Sequence, residues 1–194
     1  MIFSPDQNFV IILQKKETGV LDFRRRDITS QTYVPYGEGI SDLELAGDGN
    51  AVYYFFSNLK TGERSLIKDN IQKNDPDRIF DQSGLPPSLL SNPRLHLSPA
   101  GSQLLLLSER AFLVDLRKRS GQALGEENPL TTLFSPKGGR IALFNDKSEV
   151  LIYKSADTLE QKLPFKATVA AFQDESRALF VTEKGLLGYN FDSK

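Results

Sequence analysis

Apolar residues along this chain come in short runs with no helical rhythm. Phe9-Val10-Ile11-Ile12-Leu13, Ala51-Val52-Tyr53-Tyr54-Phe55-Phe56 and the leucines at 104–107 are representative, each flanked by polar or turn-forming residues. Runs of this length, punctuated by Gly, Pro, Asn and Asp, predict strands. No segment keeps apolar positions at helical spacing for three turns, and residues 155–160 have room for a single helical turn at most. The pattern therefore predicts an almost wholly antiparallel β chain.

The runs are organised by a repeat. Each unit opens with an apolar residue, a tight turn and an apolar strand. The five copies are Phe3-Ser4-Pro5-Asp6-Gln7-Asn8, Leu45-Ala46-Gly47-Asp48-Gly49-Asn50, Leu97-Ser98-Pro99-Ala100-Gly101-Ser102, Phe134-Ser135-Pro136-Lys137-Gly138-Gly139 and a worn Phe172-Gln173-Asp174-Glu175-Ser176. Pro presets the first corner of such a turn, Ser or Asp bonds nearby backbone, and Gly supplies a positive φ. From Ser4 to Ala46, Ser98, Ser135 and Gln173 the steps are about 42, 52, 37 and 38 residues. Within a unit two hairpins follow each other. In the fourth they predict strands at 131–134, 140–144, 149–153 and 161–165. In the first they predict strands at 9–14, 20–23 and 31–34. Leu45, Leu97, Phe134 and Phe172 each end an inner strand and are expected at equivalent buried positions.

The stretches from Phe3 to Ile12, Leu97 to Leu107 and Phe134 to Phe144 resemble the WD-like repeats of bacterial β-propellers. Leu21-Asp22-Phe23, Val114-Asp115-Leu116 and Tyr189-Asn190-Phe191 sit where such repeats carry a Trp-Asp or Tyr-Asp element. The chain departs from that pattern in having no Trp and no Gly-His pair. The resemblance implies an all-β propeller of four-stranded antiparallel blades, with repeats of ~40–45 residues. About five repeats fit, as one domain over 1–194 with units near 1–40, 41–92, 93–129, 130–166 and 167–194. Three closures are open: a five-bladed ring, an incomplete open arc, or a half-propeller completed by another chain. The fifth unit has no evident outer strand, so residues 186–191 are expected to form a sheet edge with unpaired backbone groups.

Composition narrows the chemistry. A net charge of −1 leaves no basic field for nucleic acid, and the apolar runs are too short for membrane insertion. With no cysteine there is no disulfide, thiolate ligand or cysteine nucleophile. No phosphate-loop, dinucleotide or hydrolase motif occurs, so no cofactor is expected. The single histidine, His96, has no Asp or Glu beside it in sequence and no second His to share a metal. Asp75, Asp77 and Asp81 lack the spacing of a calcium loop and read as a solvated segment. No catalytic residue and no metal site are expected. No signal-peptide pattern opens the chain, which points to the cytoplasm; a periplasmic or extracellular location is the alternative if a signal has been removed.

Two features remain as candidate interaction surfaces. The loop over residues 81–93 accounts for the long step between units two and three, and it presents Leu85, Pro86, Pro87, Leu89 and Leu90 on a proline-stiffened segment. Long loops of this kind are often functional; these leucines either dock on a partner or fold back over the blade edges. The basic triplets Arg24-Arg25-Arg26 and Arg117-Lys118-Arg119 are expected in turns after third strands, where Asp22, Asp27 and Asp115 stand close by. The expected function is a non-enzymatic protein–protein interaction scaffold whose partner is another protein, including a chain that would complete the propeller. The alternative is the substrate-gating or ligand-binding part of a larger hydrolase or peptidase.

Overall fold

The computed structural model describes residues 2–3, 9–15, 21–27, 33–58, 60–70, 75–89, 93–125, 128–154 and 158–193, and for residues up to 38 it describes strands and their pairing. The fold divides into two units, Met1–Leu97 and Ser98–Lys194. Apart from two single 3-10 turns, every regular element among the described residues is a strand, as the short apolar runs predict.

The first unit holds β1 (Ile2–Phe3), β2 (Phe9–Lys15), β3 (Leu21–Asp27), β4 (Tyr33–Leu45), β5 (Ala51–Ser57), β6 (Arg64–Asn70), β7 (Asp75–Phe80) and β8 (Arg94–Leu97), with 3-10 turns at Gln82–Gly84 and Pro87–Leu89 between the last two strands. Strands β1 to β7 pair antiparallel in chain order. The 13 residues of β4 serve two ladders. Residues from Tyr33 to Ile40 pair with β3, and residues from Ile40 to Leu45 pair with β5. The outer strand expected at 31–34 and the inner strand ending at Leu45 are thus one continuous strand. Gly39 makes this possible. Its φ is +87°, and a Cβ there would lie 2.1 Å from the carbonyl oxygen of Ser57. The register shifts just beyond it, between Ile40 and Asp42, as expected where a bulge re-aims a strand. Ile40, Leu43, Val52 and Tyr54 form the buried core here, with Leu45, Phe56 and Ile67 against it.

The second unit is a succession of meanders: β9 (Gln103–Leu107), β10 (Ala111–Asp115) and β11 (Ser120–Leu124); then β12 (Pro129–Phe134), β13 (Arg140–Asn145), β14 (Glu149–Lys154) and β15 (Leu159–Lys166) as a four-stranded antiparallel sheet; then β16 (Val169–Phe172), β17 (Arg177–Thr182) and β18 (Gly185–Asn190) as a three-stranded one. Side chains of a strand alternate between faces, and β13 uses both. Ile141 and Leu143 join Leu105, Leu107, Leu113 and Leu124 in one core layer. Ala142 and Phe144 join Val150, Ile152, Ala178 and Phe180 in the next. Sheets stacked through both faces explain why β13 reads as an unbroken apolar run instead of an alternating one.

The repeated turn has one geometry. In the copies at Ala46, Ser98 and Ser135 the first residue's carbonyl accepts from the Gly three positions on, at 2.8 Å each. Gly49, Gly101 and Gly138 supply φ values of +72°, +65° and +76°. Ser98 and Ser135 add a hydroxyl that accepts from the first amide of the following strand, Gln103 N at 3.1 Å and Arg140 N at 2.8 Å. The fifth copy lacks Gly and uses Asp174 instead, whose Oδ1 accepts from Ser176 N and Arg177 N at 2.8 Å each. Inner strands end at Leu45, Leu97, Phe134 and Phe172 as expected. Phe134 is buried, while the other three are half-buried.

Candidate interaction surface

The last sheet carries the largest apolar anomaly of the second unit. Phe134 pairs with Ile141 and Phe172 pairs with Ala178. Counting from those pairs, Ala142 and Phe144 of β13 correspond to Leu179 and Val181 of β17, while Val150 and Ile152 of β14 correspond to Leu186 and Gly188 of β18. In the fourth repeat this face is buried under Ala178 and Phe180 of the following sheet. In the fifth repeat it is open: Val169 is 56% exposed, Val181 41% and Leu186 77%. Val169, Val181 and Leu186 lie in one row across the three strands. Contiguous exposed apolar surface of this kind marks interaction sites in soluble proteins.

The opposite face of the same sheet is well packed. Phe180 is fully buried and meets Phe165, Tyr189 and Phe191 edge-on, with centroids 5.3, 6.5 and 6.4 Å away. Arg140 ties the sheet's end to its neighbour. It donates to both Glu160 oxygens at 2.8 and 3.1 Å, to Asp192 at 3.0 Å and to the Glu175 carbonyl, and it lies over the Phe191 ring. These bonds hold its guanidinium above its ordinary pKa and draw the Glu160 carboxyl below its own.

Strand β18 pairs with β17 alone among the described residues. Arg177 and Val181 turn their carbonyls toward β16, accepting from Gln173 N and Thr168 N. Their opposite numbers across the ladder, Asn190 and Leu186, therefore turn their backbone groups away from β17, as does Gly188 between them. At the hairpin between β17 and β18 lies a groove of about 580 Å³ lined by Pro164, Phe165 and Lys166 on one side and by Thr182, Glu183, Lys184, Leu186 and Leu187 on the other.

The surfaces singled out in the sequence fare differently. Leu85 and Leu89 are buried, at 4% and 0% exposure. They do not form an exposed apolar patch, because folding back recovers ~25 cal/mol per Å² of apolar surface. Asp81 fixes the fold-back by capping the first 3-10 turn, accepting from Ser83 N at 3.0 Å, Ser83 Oγ at 2.6 Å and Gly84 N at 3.2 Å. Pro86 is half-buried and Pro87 exposed, while Leu90 lies outside the described residues. Arg24, Arg25 and Arg26 are not in a turn. They lie within β3, opposite Ile12, Ile11 and Val10 of β2, since backbone pairing asks only for an amide and a carbonyl. Arg117, Lys118 and Arg119 do occupy the exposed turn after β10. There Asp115 accepts from Arg117 N and Lys118 N at 3.0 Å each, and the Lys118 ammonium stands 3.7 Å away.

Sequence reading missed one polar group in the first unit. Asp42 Oδ2 accepts from Leu95 N at 2.8 Å, binding β4 to β8 at the residue before His96. Burial and then Arg94 hold His96 below its usual pKa, with Asp42 pulling the other way. Burial, with Asp42 close by, pushes the Glu44 carboxyl up to about 7. The signal was the alternation Asp42-Leu43-Glu44-Leu45, which sets two acids on one face of an inner strand. Among the described residues no group of three or more His, Asp or Glu is placed to hold a metal, and no helix is long and apolar enough to cross a membrane.

No protein-family model matches the chain, and no curated protein sequence matches it. Solved structures do. The chain is similar to one from the nidogen/laminin complex (TM-score 0.56, 9% identity, covering 83% of this chain and 61% of that one). It is similar to TolB from Acinetobacter baumannii (0.55, 16%, covering 98% and 51%). It is also similar to Kuenenia stuttgartiensis hydrazine synthase (0.62, 12%, covering 99% and 71%). The chain thus spans between about half and seven-tenths of the length of these chains, and identities this low carry the fold alone. All three are β-propellers, and this chain is an all-β protein with the β-propeller fold.

Proposed function

We propose that this chain is a protein-binding propeller scaffold with no catalytic centre of its own, and that its partner docks on the last sheet of the second unit. The observation that carries the reading is the open row Val169, Val181 and Leu186: the counterparts of Val181 and Leu186 one repeat earlier, Phe144 and Val150, are core. Apolar side chains so placed gain by being covered. The kinship with WD-like repeats belongs to the same reading. It is supported by Asp115, which closes the turn after a third strand by accepting from the Arg117 and Lys118 amides, and by Asn190, which accepts from the Asp192 amide.

Photo-cross-linking in cells tests the scaffold role. A photoreactive residue at Leu186 should give a discrete adduct with another protein, and one at Lys147, in the exposed turn after β13, should give none. Equal adducts from both sites, or none from Leu186, would overturn the reading. A ligand-binding role within a larger enzyme has one observation behind it, the Asp42, Glu44 and His96 group. That role requires Glu44→Gln and His96→Ala to abolish an activity of the whole protein without unfolding it.

A further inference from the structure

We propose that the joint between β4 and β8 in the first unit is a pH-controlled latch, in which Glu44, beside Asp42, lets β8 stay bound to β4 while protonated and loosens it as pH rises through neutrality. The latch involves the first unit alone and does not rest on the scaffold reading.

Asp42 makes the joint. Its Oδ1 accepts from Leu43 N at 2.9 Å and its Oδ2 from Leu95 N at 2.8 Å, so one carboxylate spans the two strands. Leu95 is buried. Glu44 follows two positions after Asp42 on β4 and therefore shares its face. Both acids are half-buried. Their partners differ: Asp42 holds two backbone amides, while the Glu44 side chain has no hydrogen bond or ion pair with a described residue.

The groups around the joint set its sign. From β8 come exposed Arg94 and half-buried His96. From β5 comes Tyr53, opposite Glu44 in the ladder. From β6 comes Lys68, opposite Tyr53, with its ammonium 5.9 Å from the ring centroid. Asp77 of β7 stands opposite Lys68, and Asp48 lies in the turn after β4. Lys68, Asp77 and Asp48 are exposed, so solvent screens them. Burial and then Asp48 hold the Tyr53 hydroxyl above its ordinary pKa, so it stays neutral near pH 7.

An ionised Glu44 must give up water and face Asp42, and both effects disfavour its charge. Burial first and Asp42 second raise its carboxyl from 4.5 to about 7. Parting β8 from β4 hydrates both acids and returns Glu44 toward 4.5. The closed joint thus holds the proton more tightly than the open one. The advantage is complete below about 4.5 and is lost as pH rises through about 7. His96 works the other way. Burial and then Arg94 keep it below its ordinary 6.5, against the pull of Asp42, so its share is complete above 6.5 and is lost at lower pH. Above 6.5 only the Glu44 contribution still changes, and the joint loosens there unopposed.

Amide exchange at Leu95, read by NMR on the full chain, tests the latch, because this is the proton that Asp42 holds. Rates are corrected for the base catalysis of exchange itself. In His96→Asn, which leaves Glu44 unopposed, the opening constant at Leu95 should rise about tenfold from about pH 6 to about pH 8. Wild type should rise by less, and Glu44→Gln should show no rise. At each pH Leu95 should open more readily than Leu143 in the middle of β13. One reading needs no variant: in wild type the Leu95 amide shift should move with the Glu44 carboxyl carbon, with a shared midpoint near 7. A flat profile in His96→Asn would overturn the latch, as would a rise that survives Glu44→Gln. Equal opening at Leu95 and Leu143 would mean that only global unfolding frees the amide, and the latch falls. It falls too if the Leu95 shift does not follow the Glu44 titration.

Discussion

Glu175 closes the turn of the preceding repeat: its carboxylate accepts from Ser135 Oγ at 2.7 Å, from Lys137 N at 2.6 Å and from Gly139 N at 3.1 Å. Ser135 is itself fully buried and passes the restraint on by accepting from Arg140 N. A residue 40 positions away thus does for this turn what a local cap does elsewhere. A Cβ at Gly139 would come within 2.4 Å of Glu175 Oε2, so a side chain there would push the carboxylate aside.

Removing that carboxylate is expected to be costly. Hydrogen bonds to a charged group contribute ~1.5–3 kcal/mol net, less where water can replace them, as at exposed Lys137. Glu175→Ala should therefore destabilise by about 2 kcal/mol in urea unfolding. In a double-mutant cycle, Glu175→Ala and Ser135→Ala should couple by about 0.5 kcal/mol or more. Strict additivity would mean that the contact does not contribute to stability.

The aromatic cluster offers a larger effect. Phe180 is fully buried with three edge-on ring partners, and truncating such a residue leaves a cavity that its neighbours fill only in part. Phe180→Ala should cost ~3–5 kcal/mol. Leu186→Asp, on the open side of the same sheet, should stay within about ±0.5 kcal/mol. Comparable losses from the two would contradict the assignment of buried and open faces.

Gly39 is a backbone prediction. With φ at +87° and a carbonyl oxygen 2.1 Å from where Cβ would stand, Gly39→Ala meets both torsional strain and a clash with Ser57. The loss should exceed ~1 kcal/mol. It should appear in the amide exchange of the β4–β5 ladder before that of β17, and a neutral substitution would show that β4 does not bend here.

Glu44 sets a pH dependence. Its folded pKa of about 7 lies above the ordinary 4.5, so the native state holds the proton more tightly than the unfolded chain does. The stability this confers is fully present below about 4.5 and is lost as pH rises through about 7. Glu44→Gln should flatten that part of the stability–pH curve and stabilise the protein at pH 8 relative to wild type. A wild-type curve that rises between those values, with the slope unchanged in the variant, would rule Glu44 out as its source.

Strands and the repeated turn were legible because their determinants are local. Gly49, Gly101 and Gly138 take positive φ in the turns where the sequence places them, and apolar runs such as 104–107 need only a sheet on each side. The resemblance carried the fold class in the same way, since spaced copies of one turn–strand phrase imply stacked sheets of one design. What escaped the sequence depended on neighbours distant along the chain. Nothing near Leu85 or Leu89 says whether a proline-stiffened loop presents its leucines or folds them back, and the answer was burial. Nothing near Arg24 to Arg26 says that β3 runs on through them, because β2 supplies the hydrogen bonds. Asp42 meets Leu95 across 53 positions, and Glu175 meets Ser135 across 40. The open face follows the same rule: Leu179, Val181 and Leu186 read in sequence like the buried Ala142, Phe144 and Val150. Only the packing of whole sheets decides which apolar row is covered and which is left open.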